Sequence, residues 1–261
     1  MARAHVRTKF DFRSRRQSLN RTATQRINTV MSSLPRQLEA EWMDTPAEAM
    51  EYDAMDHDEV NRAFVGDLLR AWPAGIAEAA EVLDLGTGTA QIPIELCRRS
   101  SEVRVLAVDA ATSMLDVAIG NVDVAGLRER IMLSCVDAKA LPYEDGRFPI
   151  VMSNSIVHHI PEPRDVLREA VRVVCPGGLL FFRDLLRPAD GGEVDQLVQT
   201  YAADANNDQQ RMFADSLRAA LSLAEIQALV AELGLPADSV RQTSDRHWTW
   251  TAVRPDRVSG R

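Results

Sequence analysis

The chain is poor in the residues that build disulfide and metal scaffolds. Its 261 residues include three cysteines, Cys97, Cys135 and Cys175, far apart and each in an apolar context. An odd number without CxxC spacing excludes a disulfide framework and a cysteine-based metal centre, and points to a reducing cytoplasm. Five histidines leave little material for a zinc centre, so no metal is expected. No apolar run nears the ~18 residues of a membrane-spanning helix. The longest runs, such as Leu179–Phe182, are strand-sized. Lysine is nearly missing: Lys9 and Lys139 are the only two, and the basic charge is otherwise arginine.

A hydrophobic content of 46% with 26% charged residues excludes a mainly disordered chain. The net charge of −8 is unevenly spread. Residues 1–30 carry eight basic residues against one acid, Asp11, whereas residues 31–261 carry 22 basic against 37 acidic. A body that acidic is a poor binder of phosphate backbones, which argues against a nucleic-acid partner. The Arg- and Ser/Thr-rich segment 1–30 has no apolar core for a secretory signal. A nucleic-acid arm and an organelle transit peptide share its composition. The preferred reading is a disordered tail ahead of a true start at Met31, left out of the fold.

From Glu81 the chain alternates strand and helix signals. EVLDLG (81–86), VRVLAVD (103–109), IMLSCVD (131–137), FPIVMSNS (148–155) and GLLFFRDL (178–185) read as strands, with helices over 90–99, 113–125 and 163–174 between them. Pro176-Gly177-Gly178 stops the last of these helices. Such alternation implies right-handed crossovers and a buried parallel sheet. Residues 190–221 read as one or two helices. Ser222 with Glu225 has capping-box spacing, and Gly234 ends that helix. Two extended segments, 240–244 and 247–254, form an antiparallel hairpin at the sheet edge. Trp248 and Trp250 within it read as one buried face. Ahead of the sheet, Val60, Phe64, Leu68 and Trp72 have helical spacing, so residues 31–78 form a helical cap and 79–261 the main domain. Overall this is an α/β fold: a Rossmann-like, seven-stranded, mostly parallel sheet with a reversed final strand and helices on both faces.

The strongest chemical signal is VLDLGTGTA (82–90): a strand delivers Asp84, Gly86 and Gly88 turn, and Ala90 opens a helix. Glycine supplies the unusual backbone angles and close backbone approach that a ligand loop needs. The third glycine of a dinucleotide loop is Gln91 here, and an acid ahead of the first glycine suits a ligand with a cationic end. Asp109 ends the second strand, where a carboxylate can accept both hydroxyls of a ribose. Asp137, beside Ala138, ends the third and suits an adenine edge. Ser153-Asn154-Ser155 ends the fourth. One Asp after a strand is ordinarily a cap or turn residue. Four such elements on four successive strands are not readily a coincidence.

These residues carry a resemblance to class I S-adenosylmethionine-dependent methyltransferases, in particular small-molecule enzymes of the ubiquinone/menaquinone-biosynthesis and sterol types. LDLGTGTA is similar to the family's first motif, with Ala90 at its usual third glycine, a replacement expected to cost little. The motifs span about residues 80–185. The resemblance implies S-adenosyl-L-methionine as cofactor. Gly86, Thr87 and Gly88 would lie along its methionine part, and Asp84 would orient its amino group. Asp109, with Ala110 and Met114 after it, would take the ribose, Asp137 and Ala138 the adenine, and Asn154 the methyl-transfer region. A small-molecule methyl acceptor is the implied partner. RNA or protein methylation through the Arg-rich tail is the alternative, and a nicotinamide oxidoreductase or a non-catalytic cofactor scaffold stand behind it.

His158 and His159, in SNSIVHHIPEP, lie where a base would face an acceptor, or they merely shape the loop. Tyr52, Met55 and His57 in the cap are candidate acceptor contacts, against a solvated acidic helix. Arg183 could bind an acceptor carboxylate or phosphate, against an ion pair with Asp184 or another local acid. The acceptor atom and the oligomeric state are not legible.

Overall fold

The computed structural model describes residues 34–39, 44–55 and 57–256; the Arg-rich segment 1–30 and the proposed start at Met31 lie outside the described residues. Seven strands form one sheet: β1 (Glu81–Leu85), β2 (Arg104–Asp109), β3 (Ile131–Cys135), β4 (Phe148–Asn154), β5 (Val174–Leu185), β6 (Val240–Gln242) and β7 (His247–Val253). Their order is β3-β2-β1-β4-β5-β7-β6. The strands from β3 to β5 are mutually parallel, and β7 alone runs against its neighbours β5 and β6. The order reverses between β1 and β4, so a crevice opens beyond the carboxyl ends of those two strands.

Eight helices accompany the sheet among the described residues: α1 (Pro46–Asp53), α2 (Asp58–Ala71), α3 (Gln91–Arg99), α4 (Thr112–Val124), α5 (Arg164–Val173), α6 (Gly191–Tyr201), α7 (Asn207–Ala219) and α8 (Leu223–Glu232). Helices cover both faces, which is why the central strands read as unbroken apolar runs. Adjacent residues of one strand enter different cores. Val82, Ile150 and Phe181 pack with Phe64, Leu68, Ile94 and Val122 from α2, α3 and α4. Leu83, Val151 and Phe182 pack with Val166, Ala170, Ile226 and Val230 from α5 and α8, together with Trp248 and Trp250.

The structure refines three boundaries. β5 starts at Val174, four residues before the expected Gly178, because Val174 already pairs with Phe148 ahead of an irregularity in the register. β6 keeps only three residues, because Thr243 and Ser244 turn the chain and donate to the His247 carbonyl. The hairpin does not simply close the edge: β7 inserts between β5 and β6. Residues 190–221 resolve into α6 and α7, and the box formed by Ser222 and Glu225 caps α8 as expected.

The pleat of β5 separates two neighbouring charges. Arg183 enters the α2 side, where it bonds Asp67 and Thr249 Oγ1 and lies over the Phe64 ring. Asp184 enters the other side. The sequence alternative of an Arg183–Asp184 pair is therefore excluded, since successive strand residues point to opposite faces. Arg183 is buried and Asp67 about one-third exposed. Their value lies between that of surface pairs and the ~3–5 kcal/mol lost on breaking a fully buried one. Arg183→Met is expected to cost about 1–3 kcal/mol and to lower Tm by several degrees. An unchanged melting curve would show that the pair contributes nothing.

Candidate functional site

After β1 the chain turns sharply. Gly86 and Gly88 have φ of +70° and +55°. The Gly86 and Thr87 amides both donate to the Val108 carbonyl, at 2.9 and 3.0 Å, which ties the turn to β2. A Cβ on Gly86 would lie 2.6–2.9 Å from the Ile156 side chain, so this glycine serves close packing as well as the turn. Ala90 is also left-handed, at φ +65°. The expectation that alanine costs little there needs correction. The conformation costs roughly 1–2 kcal/mol for a residue with a Cβ. Burying its methyl returns about 0.8 kcal/mol of that.

Asp109 fastens the turn from below. One carboxylate oxygen accepts from the Gly88 amide at 2.8 Å and the other from the Ala111 amide at 2.9 Å. Each oxygen keeps a lone pair for a further donor. Helix α1 closes the loop from above: Asp53 Oδ1 accepts from Gln91 and Asn121, and Asn121 also donates to the Thr89 carbonyl.

Beyond this loop lies a cavity of about 740 Å³. Gly86, Gly88, Asp109, Ala110 and Met114 line it from β1, β2 and α4; Asp137, Ala138 and Asn154 line it from the ends of β3 and β4; His158 and His159 line its far wall; Tyr52, Met55 and His57 close it from the N-terminal helices. Asp84 and Thr87 line a small adjoining recess that shares Gly86, Asn154, Tyr52 and His57. Of the sequence-predicted residues, Arg183 alone lines neither space. Its held position against Asp67 is a correction to its reading as an acceptor contact. Asp137 departs in detail: β3 ends at Cys135, and Asp137 sits in a turn, accepting from the Lys139 amide at 2.9 Å with the Lys139 ammonium at 3.1 Å.

The site is acidic, and its Asp84 and Asp109 carboxylates are shielded from solvent. Burial pushes Asp84 up to about 7, and the nearby Asp109 charge adds to this. Burial likewise raises Asp109. Tyr52 is pushed up to about 12 by burial and then by Asp109, Asp53 and Asp84. The Asn154 Oδ1 is buried without a hydrogen-bond partner. Such a constellation of acceptors calls for a ligand that brings donors and positive charge.

The far wall is a chain of imidazoles and carboxylates. His158 and His159 stand in a 3-10 turn (Val157–His159) with ring centroids 4.1 Å apart. His158 Nδ1 meets Asp184 at 2.5 Å, and Asp184 also accepts the Val157, His158 and Leu185 amides. Glu39 lies 3.6 Å from His158 Nε2 and 3.0 Å from His159 Nδ1. Burial opposes the charged form of His158, but Asp184 and Glu39 outweigh it and the pKa is raised. Burial and the neighbouring His158 charge lower His159. Arg36 holds the turn's backbone, donating to the carbonyls of His158, Ile160, Pro161 and Ala219.

Sequence reasoning missed Glu39 and Arg36, because residues 34–39 carry no periodicity and act on a loop far along the chain. In the sequence Asp184 stands out only as an ion-pair partner for Arg183; the period-2 rule places it on the opposite face, the histidine side.

The fold is that of class I S-adenosylmethionine-dependent methyltransferases, and the site is compatible with S-adenosyl-L-methionine as cofactor. Residues 83–182 match the model of the family described as methyltransferase domain. The chain is 30% identical over 177 residues to a 27-O-demethylrifamycin SV methyltransferase of Amycolatopsis mediterranei, covering 66% of this chain and 61% of that protein. It is 27% identical over 151 residues to a ubiquinone/menaquinone biosynthesis C-methyltransferase of Azotobacter vinelandii, covering 55% and 60%. The chain thus spans about three-fifths of the length of these relatives. The fold is shared with a SAM-dependent methyltransferase from Aquifex aeolicus, at a TM-score of 0.57 and 18% identity over 80% of this chain and 98% of that one.

The donor set fits that cofactor: a buried carboxylate on β1, a half-buried one at the end of β2, a third just past β3, an unsatisfied amide oxygen, and a pinched loop beneath one cavity. Two variants test the arrangement. Asp109→Ala orphans the Gly88 and Ala111 amides, so we expect a lower Tm together with a loss of about 1–3 kcal/mol in affinity for S-adenosylhomocysteine by calorimetry. Unaltered affinity would remove Asp109 from the site. Asp84 binds its proton more tightly folded, near pH 7, than its ordinary value of 3.8. The contribution of Asp84 to stability is therefore fully present below about pH 4 and is lost as pH rises through 7. Asp84→Asn should melt above wild type at pH 8 and level with it at pH 4. Equal melting at both would contradict the buried, uncompensated carboxylate.

Proposed function

We propose that this protein transfers a methyl group from S-adenosyl-L-methionine to a small-molecule acceptor held in the rim cavity. The observation that carries the reading is the cavity itself. At about 740 Å³ it lies in the upper part of the ~300–1,000 Å³ range of small-ligand sites, with room for an acceptor beside a nucleoside. Away from the glycine loop it is lined by Met55, Val60, Ile160, Leu185 and Phe213, an apolar surface suited to an apolar acceptor body. The two curated relatives act, by their names, on a rifamycin and in quinone biosynthesis. The acidic body speaks against the alternative of RNA or protein methylation through the Arg-rich residues 1–30.

In this reading Asp84 faces the amino group of the cofactor's methionine part, Asp109 the ribose hydroxyls, Asp137 and Ala138 the adenine, and Asn154 the transfer region. The bound cofactor supplies an electrophilic methyl on a positively charged sulfur. The chain's task is to align the acceptor in line with that methyl and to exclude water. Tyr52, Met55 and His57, from the 31–78 cap, close over the acceptor. His158 or His159 takes the acceptor's proton where it carries one. Among the described residues no helix is long and apolar enough to cross a membrane, and all three cysteines are free. A reducing cytoplasmic setting follows as part of the proposal.

Saturating S-adenosylhomocysteine should raise Tm, by the equivalent of about 2.7 kcal/mol at one hundred times its Kd, whereas nicotinamide dinucleotides should not. Methyl-labelled cofactor incubated with a metabolite pool should yield a labelled small molecule, equally with a chain lacking residues 1–30. Label appearing only in RNA or protein, and only with that segment present, would overturn the small-molecule reading.

A further inference from the structure

We propose that Glu39, His158 and His159 form a binding site for one divalent first-row metal ion of the zinc class on the wall of the rim cavity. The three residues offer one ligand atom each, all within 4.8 Å of one another. Zinc–nitrogen and zinc–oxygen bonds of about 2.0–2.1 Å place neighbouring ligand atoms roughly 3.0–3.4 Å apart. The Glu39 carboxylate oxygen stands 3.0 Å from His159 Nδ1 and 3.6 Å from His158 Nε2, so an ion can be seated with small side-chain adjustments.

Two further observations point to a ligand rather than to hydrogen bonding alone. His159 Nδ1 is buried and close to Glu39, yet no hydrogen bond of acceptable geometry joins them. His158 has the backing expected of a metal-ligating imidazole: its Nδ1 meets a buried carboxylate, Asp184, at 2.5 Å, which orients the ring and turns Nε2 toward Glu39. The ion would replace the Nε2 proton. It would also take over the positive charge that a protonated His158 otherwise sets between the half-buried Glu39 and the buried Asp184.

The set is held from outside. Ser216 on α7 donates to both Glu39 oxygens, at 3.2 and 3.3 Å, and Arg36 fixes the backbone of the histidine turn. Two imidazoles and one carboxylate select zinc, cobalt or iron(II) over magnesium or calcium, which take oxygen sets. Three protein ligands leave positions open, and both histidines line the cavity, so those positions receive an acceptor oxygen, such as a hydroxyl or enol, and with the ion bound it is the metal, in place of a coordinated imidazole nitrogen, that makes the acceptor's proton easier to lose. This use of the metal rests on the methyl-transfer reading; the binding of the metal does not.

The test uses the full chain, stripped with a chelator and titrated with Co²⁺ by visible absorption and with Zn²⁺ by competition. One ion per chain at micromolar Kd or tighter is expected. Glu39→Gln and His159→Ala should each weaken binding at least 10-fold, and Asp184→Asn by about 10–100-fold. Circular dichroism and retained S-adenosylhomocysteine binding certify that the variants fold. Absence of saturable Co²⁺ binding below millimolar concentration would overturn the proposal, as would wild-type affinity in both Glu39→Gln and His159→Ala. If metal fails to bind while S-adenosylhomocysteine still does, the metal site falls and the methyltransferase reading stands. If neither binds, both fall.

Discussion

The site depends on one carboxylate gripping two backbone amides. Asp109 accepts from Gly88 in the loop after β1 and from Ala111 at the opening of α4, so a single side chain couples two crossovers at the end of β2. Without it, the Gly88 and Ala111 amides would lose their partner in a shielded cleft, where each costs about 1–3 kcal/mol. The loop's other constraints converge on the same place: Gly86 is pressed against Ile156, and Asp53 draws α1 over Gln91 and Asn121. Rigid support of this kind is what a reaction governed by alignment requires.

The opposite wall is organised by a second buried carboxylate. Asp184 holds the histidine turn through two amides and one imidazole, and the strap at residues 34–39 adds Arg36 and Glu39 from outside. The cavity therefore has two differently charged ends. Uncompensated acids crowd the glycine loop, and paired imidazoles and acids stand at the far wall. A cationic cofactor part and a reactive acceptor atom have distinct places to go.

Much of this was legible in the sequence, because it rests on local rules. The alternation of strands and helices, the glycine turn and the acids after successive strands are set within windows of about ten residues, and they locate the crevice. The last hairpin was legible as a hairpin, but the insertion of β7 between β5 and β6 depends on long-range pairing and was not. The Asp109 grip on Gly88 reaches 21 residues back along the chain and was read only as a ribose contact. Glu39 and Arg36 had no periodic or motif signal at all. The strain at Ala90 was hidden because its left-handed angle follows from the turn, not from the residue type.

The misreading of Arg183 and the neglect of Asp184 share one cause that generalises. Both stand at the end of β5, and proximity in sequence made them look like partners. A strand turns neighbours away from each other, so the pair serves two cores: Arg183 anchors α2, and Asp184 anchors the histidine turn. Asp84, one residue before the end of β1, lines the small recess, and Asp109 lines the larger cavity beside it. A buried carboxylate whose pKa is pushed to about 7 is a standing cost to the ligand-free fold. It is most simply retained because a positively charged group comes to rest beside it. That is the physical reason to place the amino end of the cofactor at Asp84 and the nucleoside end at Asp109 and Asp137.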